Sequence, residues 1–439
     1  MTDMKRTDIK YYLRRRRALA QSMKSGIAII PTAPERMRNR DSDYPYRFDS
    51  YFYYLTGFCE PDSVLVLIAG TRPRAILFCR EKNPERELWD GVRCGPVAAR
   101  KAYGFDEAWP IEALDEKLPQ LLADKKAVYF ATGMDAAWDA RVIGWLNKVR
   151  SQTRTGIAAP GEIRDVRTII DQLRLVKDVH EIGVMRRAAA ISAGAHRRAM
   201  QATRPGRMEF EIEAELLHEF RRNGSQFPAY TSIVAGGANA CILHYRENDA
   251  RLNKGDLLLI DAGCELDGYA SDITRTFPVN GRFSEAQREI YELVLAAQSA
   301  AIRAVRPGKS WQAPHDAAVR VLVKGFIKLG LCKGSVSNVI ASGDYRRFYM
   351  HRTGHWLGLD VHDAGEYKDG GAWKKLRPGM VLTVEPGCYI RPARNVPKKY
   401  WNIGVRIEDD VLVTRTGCDI ITAGAPKTVA QIEALMTHA

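Results

Sequence analysis

Asp261 and Asp272 interrupt a stretch that otherwise reads as an ordinary β-hairpin, IDAGCELDGYASDIT, from Ile260 to Thr274. Apolar residues flank the turn signal Leu266-Asp267-Gly268. If Leu266 and Asp267 form the two-residue loop, the two aspartates face each other across the ladder. If Asp267 and Gly268 form it, Asp272 faces Gly263 and Asp261 becomes its diagonal neighbour. Side chains alternate along a strand, so either register puts both carboxylates on one surface. Directly opposed Cβ atoms are about 4.5–5.5 Å apart, and like charges there are destabilising. The pair calls for positive charge between its members.

Three more stretches put charge where a strand should be buried. HRTGHWLGLDVHD (351–363) holds His351, His355 and His362, three of the nine histidines, in a glycine-punctuated loop. GMVLTVEPGCYI (379–390) is an apolar strand ending on Glu385. NIGVRIEDDVLVT (402–414) alternates, Val405 and Ile407 one way and Arg406 and Glu408 the other. Singly, each has a bland reading: a solvated edge aspartate, a hydrogen-bonded histidine, a strand end, an acidic turn. Together the bland readings fail, because Asp261, Asp272, Glu385 and Glu408 all interrupt strands whose other face is apolar. Brought to one site they carry about −4, which no core tolerates unpaired. Two divalent cations neutralise that charge, and bridging carboxylates can hold two metals about 3.5–4 Å apart. An oxygen-rich set with one imidazole suits Mn, Co, Fe or Zn.

The elements that must position these groups fall into two blocks. At 439 residues the chain is too long for a single core, so two domains are expected. The first block alternates buried-type strands (25–31, 63–70, 74–80, 126–132) with helical segments (about 8–24, 98–104, 134–151), an α/β pattern. A long amphipathic helix then begins after Asp178, with Glu181 completing a capping signal and Pro205-Gly206 ending it. Further helices are expected at about 208–223, 284–305 and 312–330. The predicted division is residues 1–175 and 176–439.

Composition narrows the class. Hydrophobic content of 46% and charged content of 27% suit a globular enzyme. No apolar run is long enough to span a membrane, and the N-terminal stretch lacks a signal-peptide core, so a cytoplasmic protein with no membrane partner is expected. The eight cysteines form no CxxC pair and read as reduced thiols. The net charge of +14 invites a nucleic-acid reading, but Lys and Arg exceed Asp and Glu by seven on each side of residue 175. The excess is spread out, and the Arg14–Arg17 run lies in a helical segment where it reads as a solvated face, so no nucleic-acid partner is expected. Gly236-Gly237 lacks any phosphate-loop context.

The order Asp–Asp–His–Glu–Glu, in IDAGCELDGYASDITRTFPV, GHWLGLDVHD, VLTVEPG and VRIEDD, resembles the pita-bread-fold metallopeptidases, most closely the Xaa-Pro aminopeptidase (aminopeptidase P) group. RDSDYPYRFDSYFYYLTGFCEPDSVLVLI and ELWDGVRCG extend the likeness to that group's N-terminal module. The resemblance implies a creatinase-like α/β N-terminal domain, serving oligomerisation and pocket shaping, and an α+β pita-bread catalytic domain. It implies two divalent cations, manganese foremost with Co, Zn or Fe as alternatives, held by Asp261, Asp272, His355, Glu385 and Glu408. Asp272 and Glu408 would bridge the metals and Glu385 would also be general base. His244 and His362 would stabilise the scissile carbonyl. His351, Arg406 and Tyr389 would support the site, Arg406 lying close to Glu408 by strand alternation. Asp41 would meet the substrate amine, and Trp89 and Arg154 would line the pocket from a neighbouring subunit. A peptide with proline second is the implied substrate, and a homodimer or homotetramer the implied assembly. An Xaa-Pro dipeptidase (prolidase) and a non-catalytic pita-bread binding module are the rival readings. The likeness breaks at two places. HRTGH puts the bulky Arg352 beside the site, and GEYKDGGAWKKLRPG leaves the role of loop 366–377 open.

Overall fold

A computed structural model of the chain describes residues 9–437, and the chain divides at Arg174/Leu175 into two compact units. The helix expected from about residue 8 runs Ile9–Met23, its first expected residue lying outside the described ones. Its arginine run is not wholly the solvated face expected: Arg15 and Arg16 are buried, where their guanidinium groups donate to the Tyr54 and Leu55 carbonyls.

The N-terminal unit is built on a six-stranded mixed sheet. Its spatial order is Glu107–Pro110, Arg74–Cys79, Val64–Ala69, Gly26–Pro31, Ala127–Tyr129, Glu162–Arg164. The three central strands pair antiparallel and the outer ones parallel. Ile27, Ile29, Val64, Val66, Ile76 and Phe78 face Leu118, Leu122, Val142 and Trp145 from the covering helices. The four strongly apolar strands were legible as such. The short outer pair, Glu107–Pro110 and Glu162–Arg164, was not: neither has an apolar run, and each is placed by pairing with a neighbour.

The C-terminal unit mixes long helices with short antiparallel strands, the expected α+β pattern. Val179–Ala202 starts on a complete capping box, the Asp178 side chain accepting from the Glu181 backbone and the Glu181 carboxylate accepting from the Asp178 N–H. Glu209–Arg222, Glu285–Ala304 and Ala313–Lys328 are the other major helices. Three small sheets carry the acidic residues. Leu257–Asp261 lies between Ile233–Gly236 and Thr274–Pro278; Val381–Val384 pairs with Asp409–Val413; Gly387–Ile390 pairs with Ile403–Arg406.

The hairpin takes the second of the two registers. Leu266 pairs with Tyr269 and Asp261 with Thr274, so Asp267 and Gly268 form the loop, both with positive φ (48° and 80°). Asp272 therefore faces Gly263 and sits diagonal to Asp261.

One sequence expectation needs correction. The stretch 402–414 is not one alternating strand but two, Ile403–Arg406 and Asp409–Val413, in different sheets. At the break, the Ile407 N–H donates to the Pro386 carbonyl and that of Glu408 to the Thr274 carbonyl. Both faces are buried, so alternation marked direction and not solvent. Asp409 and Asp410, which on their own suggest an acidic turn, are fully buried. Asp409 accepts from Arg275, Lys427, Gln298 and Thr422, and Asp410 from Ser271 and the Asp272 N–H. Among the described residues no helix is long and apolar enough to cross a membrane.

Candidate metal centre

Four strand ends and one loop converge on a cavity of about 900 Å³ in the C-terminal unit, and Asp261, Asp272, His355, Glu385 and Glu408 all line it. Asp261 closes the strand Leu257–Asp261, and Glu385 immediately follows Val381–Val384. Glu408 sits in the break between two sheets, where its carboxylate accepts from the Thr274 hydroxyl at 2.7 Å. His355 comes from the glycine-rich loop. Its Nε2 lies 3.4 Å from Asp272 Oδ2 and 3.7 Å from Glu385 Oε1. One donor atom each from Asp272, His355 and Glu408 lie within 4.8 Å of one another.

The electrostatics record the crowding. Burial, then the charges of Asp272, Glu385 and Asp261, push the Glu408 carboxyl far above the usual range. Burial also raises Glu385 to about 7, partly offset by His355 and Arg406. Burial would lower His355, but its hydrogen bond to the Asp272 carboxylate and the charge of Glu385 outweigh it and lift the imidazole to about 9. Asp272 shows the reverse balance: burial raises it, and His355, the Tyr230 hydroxyl and Arg406 together pull it below the usual range. Asp261 is raised, burial outweighing its ion pair with Arg406 at 2.6 Å. Like-charged carboxylates driven to hold protons, beside an imidazole driven to take one, are a site short of positive charge.

The donor set fits divalent metal. His355 Nδ1 hydrogen-bonds the Trp356 carbonyl at 2.9 Å, which puts the proton on Nδ1 and turns Nε2 towards the carboxylates. A metal-binding histidine is commonly oriented in this way. Oxygen donors with one imidazole and no thiolate match Mn, Co, Fe or Zn.

The supporting groups gather as well. His351 bonds the Tyr389 hydroxyl through Nε2 at 2.9 Å, and burial drops its pKa to about 3. Arg406 donates to Asp261, to Tyr389 at 3.0 Å and to Thr274 at 3.0 Å. The sequence places Arg406 beside Glu408, yet its ion pair is with Asp261, because the strand break turns its guanidinium across to the neighbouring sheet. His244 and His362 are exposed on the cavity wall, the ring of His362 at 4.2 Å from that of His355. Asp41, Trp89 and Arg154 belong to the N-terminal unit and are exposed there; none is among the cavity-lining residues.

Three participants escaped the sequence reading. Tyr230 lies between the hairpin aspartates, its hydroxyl 2.6 Å from Asp261 Oδ1 and also on Asp272 Oδ1. Thr274 bonds Glu408. Thr383 accepts from the His355 N–H and donates to Glu385. Tyr230 is 31 and 42 residues from its partners, so no local pattern announces it. The threonines look like ordinary strand residues until the sheets meet.

Comparison with known proteins agrees with this geometry. Residues 183–415 match the family model of metallopeptidase family M24, and residues 12–129 match the aminopeptidase P N-terminal domain. The chain is 48% identical to the Xaa-Pro aminopeptidase of Escherichia coli K12, with 98% of each chain covered. It superposes with a TM-score of 0.96 on the structure of Pseudomonas aeruginosa aminopeptidase PepP, at 54% identity and 98% coverage of both chains. A zinc-substituted E. coli aminopeptidase P in complex with product is 47% identical at a TM-score of 0.95, again covering 98% of each chain.

Proposed function

The chain belongs to metallopeptidase family M24, and from that premise we propose that it is an Xaa-Pro aminopeptidase, releasing the N-terminal residue of peptides whose second residue is proline. The observation that carries the reading is the convergence of four buried carboxylates and His355 Nε2 on one open cavity. Two divalent cations held by Asp261, Asp272, His355, Glu385 and Glu408, with manganese as the proposed pair, supply Lewis acidity and an acidified water. The chain's own groups do the rest. Glu385, whose carboxylate faces the cavity, takes a proton from the attacking water and returns it to the departing proline nitrogen. That nitrogen belongs to a tertiary amide without N–H, which must gain a proton to leave. His244 and His362 stabilise charge growing on the carbonyl oxygen. Arg406 and Tyr230 hold Asp261 in place, and Tyr389 holds His351. Asp41, Trp89 and Arg154 are assigned, as proposals, to the substrate amine and to the pocket wall of a neighbouring subunit. That assignment requires an oligomer, and the exposed Leu88, Trp89, Val92 and Val97 are apolar surface such an assembly could cover. Light scattering should give a dimer or tetramer; a monomer alone would contradict it. The eight cysteines are free thiols, which suits the proposed cytoplasmic setting.

Hydrolysis of Arg-Pro-Pro and Gly-Pro, by chelated and Mn²⁺-reloaded enzyme side by side, tests the reading. Metal-dependent cleavage of the tripeptide is expected. Cleavage of Gly-Pro alone would make the protein a prolidase, and silence on both would favour a binding module.

A further inference from the structure

The metal end of the cavity is acidic and its mouth is cationic. Arg246, Arg352 and Lys368 line the same cavity as the carboxylates and are exposed. Among the described residues none of the three has an acidic partner within ion-pair distance. The single carboxylate on that rim, Glu366, is taken by Lys374 at 3.8 Å. Two of the cations share one aromatic ring. The Arg352 guanidinium carbon lies 4.8 Å from the centre of Trp373, and Lys368 Nζ lies 4.7 Å from the same centre. An indole face attracts each cation, but two like charges on one ring repel each other, and no protein anion offsets them.

The platform is built, not incidental. Lys368 and Trp373 are cross-strand partners in a two-stranded ribbon turned by Gly370 and Gly371, both at positive φ (53° and 87°). The ribbon is tied down where the Trp311 N–H donates to the Lys374 carbonyl at 2.8 Å. Arg352 is oriented by its Nη2 bond to Gln312 Oε1 at 2.6 Å. Its carbonyl meets His351 Nδ1 at 2.7 Å, which fixes this arginine one residue from the catalytic wall. A guanidinium held over an indole 4.8 Å from its centre keeps further N–H groups, and a planar guanidinium's fork of donors suits a carboxylate.

We propose that Arg352 and Lys368, presented on Trp373, form a subsite for a carboxylate carried by the substrate on the leaving side of the scissile bond. The inference rests on the Xaa-Pro aminopeptidase reading. Such an enzyme takes one residue past the bond it cuts, so the rest of the peptide runs out towards the mouth, where these cations lie. The carboxylate has two sources: the free C-terminus of a short peptide, or an acidic side chain downstream of proline.

The test uses metal-loaded enzyme and three peptides, Xaa-Pro-Ala as the free acid, Xaa-Pro-Ala amide and Xaa-Pro-Asp amide. The free acid should exceed the amide about tenfold in kcat/KM, through KM, with the margin shrinking at high salt. In Arg352→Gln the acid-to-amide ratio should fall towards one, and Arg352→Lys should restore part of it. If that arginine variant fails to fold, Lys368→Gln, on an exposed side chain, carries the same comparison. Recovery of the preference by the aspartate amide would make an acidic side chain an equal source, and its failure would restrict the subsite to chain termini. Equal cleavage of acid and neutral amide by the unaltered enzyme would overturn the proposal while leaving the aminopeptidase intact. A preference that survives both Arg352→Gln and Lys368→Gln would overturn it too. No cleavage of any peptide would remove the aminopeptidase reading and the subsite with it.

Discussion

Glu385 concentrates the proposed chemistry of this protein in one side chain. It ends a buried strand, lies 3.7 Å from His355 Nε2, and is raised to about 7 by burial against neighbouring carboxylates. Cations bound beside it would oppose that rise and favour the carboxylate, the form that can accept a proton from an attacking water. Replacing it, as Glu385→Ala, should cut kcat by about 10²–10⁴ or more, since it removes the proposed base and one of the proposed metal donors together. Circular dichroism and the thermal midpoint should stay near those of the parent. An active Glu385→Ala variant would refute the assignment. The residue scale was largely legible in the sequence, because a carboxylate in an apolar strand violates a strong rule and four such positions line one cavity. Tyr230 was not, because a tyrosine in a bend between two short strands violates nothing.

At the scale of elements, the hairpin and the histidine loop owe their precision to close backbone approach and to one buried ion pair. A Cβ on Gly263 would lie 1.7 Å from the Ser271 carbonyl oxygen, far inside contact distance. Gly263→Ala therefore cannot keep the register that sets Asp261 diagonal to Asp272, and metal titration of the variant should show weakened binding along with a lowered thermal midpoint. An unchanged affinity would mean that the aspartates do not depend on this pairing. The loop carrying His355 and His362 is pinned by Lys177, whose Nζ meets Asp363 Oδ2 at 2.8 Å with both side chains 1% exposed. Lys177→Ala removes the cation 2.8 Å from that buried carboxylate, and breaking a buried pair typically costs about 3–5 kcal/mol. The expected readout is a large fall in thermal midpoint. The helix cap at Asp178 was written in local sequence, whereas the Lys177–Asp363 pair spans 186 residues and was invisible there.

For the whole molecule, acid sensitivity is the property the buried groups determine. His196 is fully buried behind the hairpin, its Nε2 on the Ala262 carbonyl at 2.9 Å, and burial lowers its pKa to about 4. Its folded pKa lies below the ordinary value of about 6.5, so between the two the unfolded chain binds the extra proton. The stabilisation is complete above about pH 6.5 and is lost as pH falls towards 4, amounting to about 3 kcal/mol from this residue. Unfolding midpoints measured across that window should fall more steeply for the parent than for His196→Gln. Equal slopes would assign the acid sensitivity elsewhere.

The sequence by itself determined the two-part architecture, the strongly apolar strands, the capped helices and the identity of the acidic and histidine set. These follow from local periodicity, cap chemistry and the cost of burying charge, all of which act over a few residues. Only the tertiary structure decided which of two hairpin registers holds, that the stretch 402–414 breaks into two strands, and that Arg406 reaches Asp261. It also decided that Tyr230, Thr274 and Thr383 support the site, and that Arg352 and Lys368 meet on one indole. Those outcomes depend on backbones and charges brought together from distant parts of the chain, and no local pattern encodes which partners will meet.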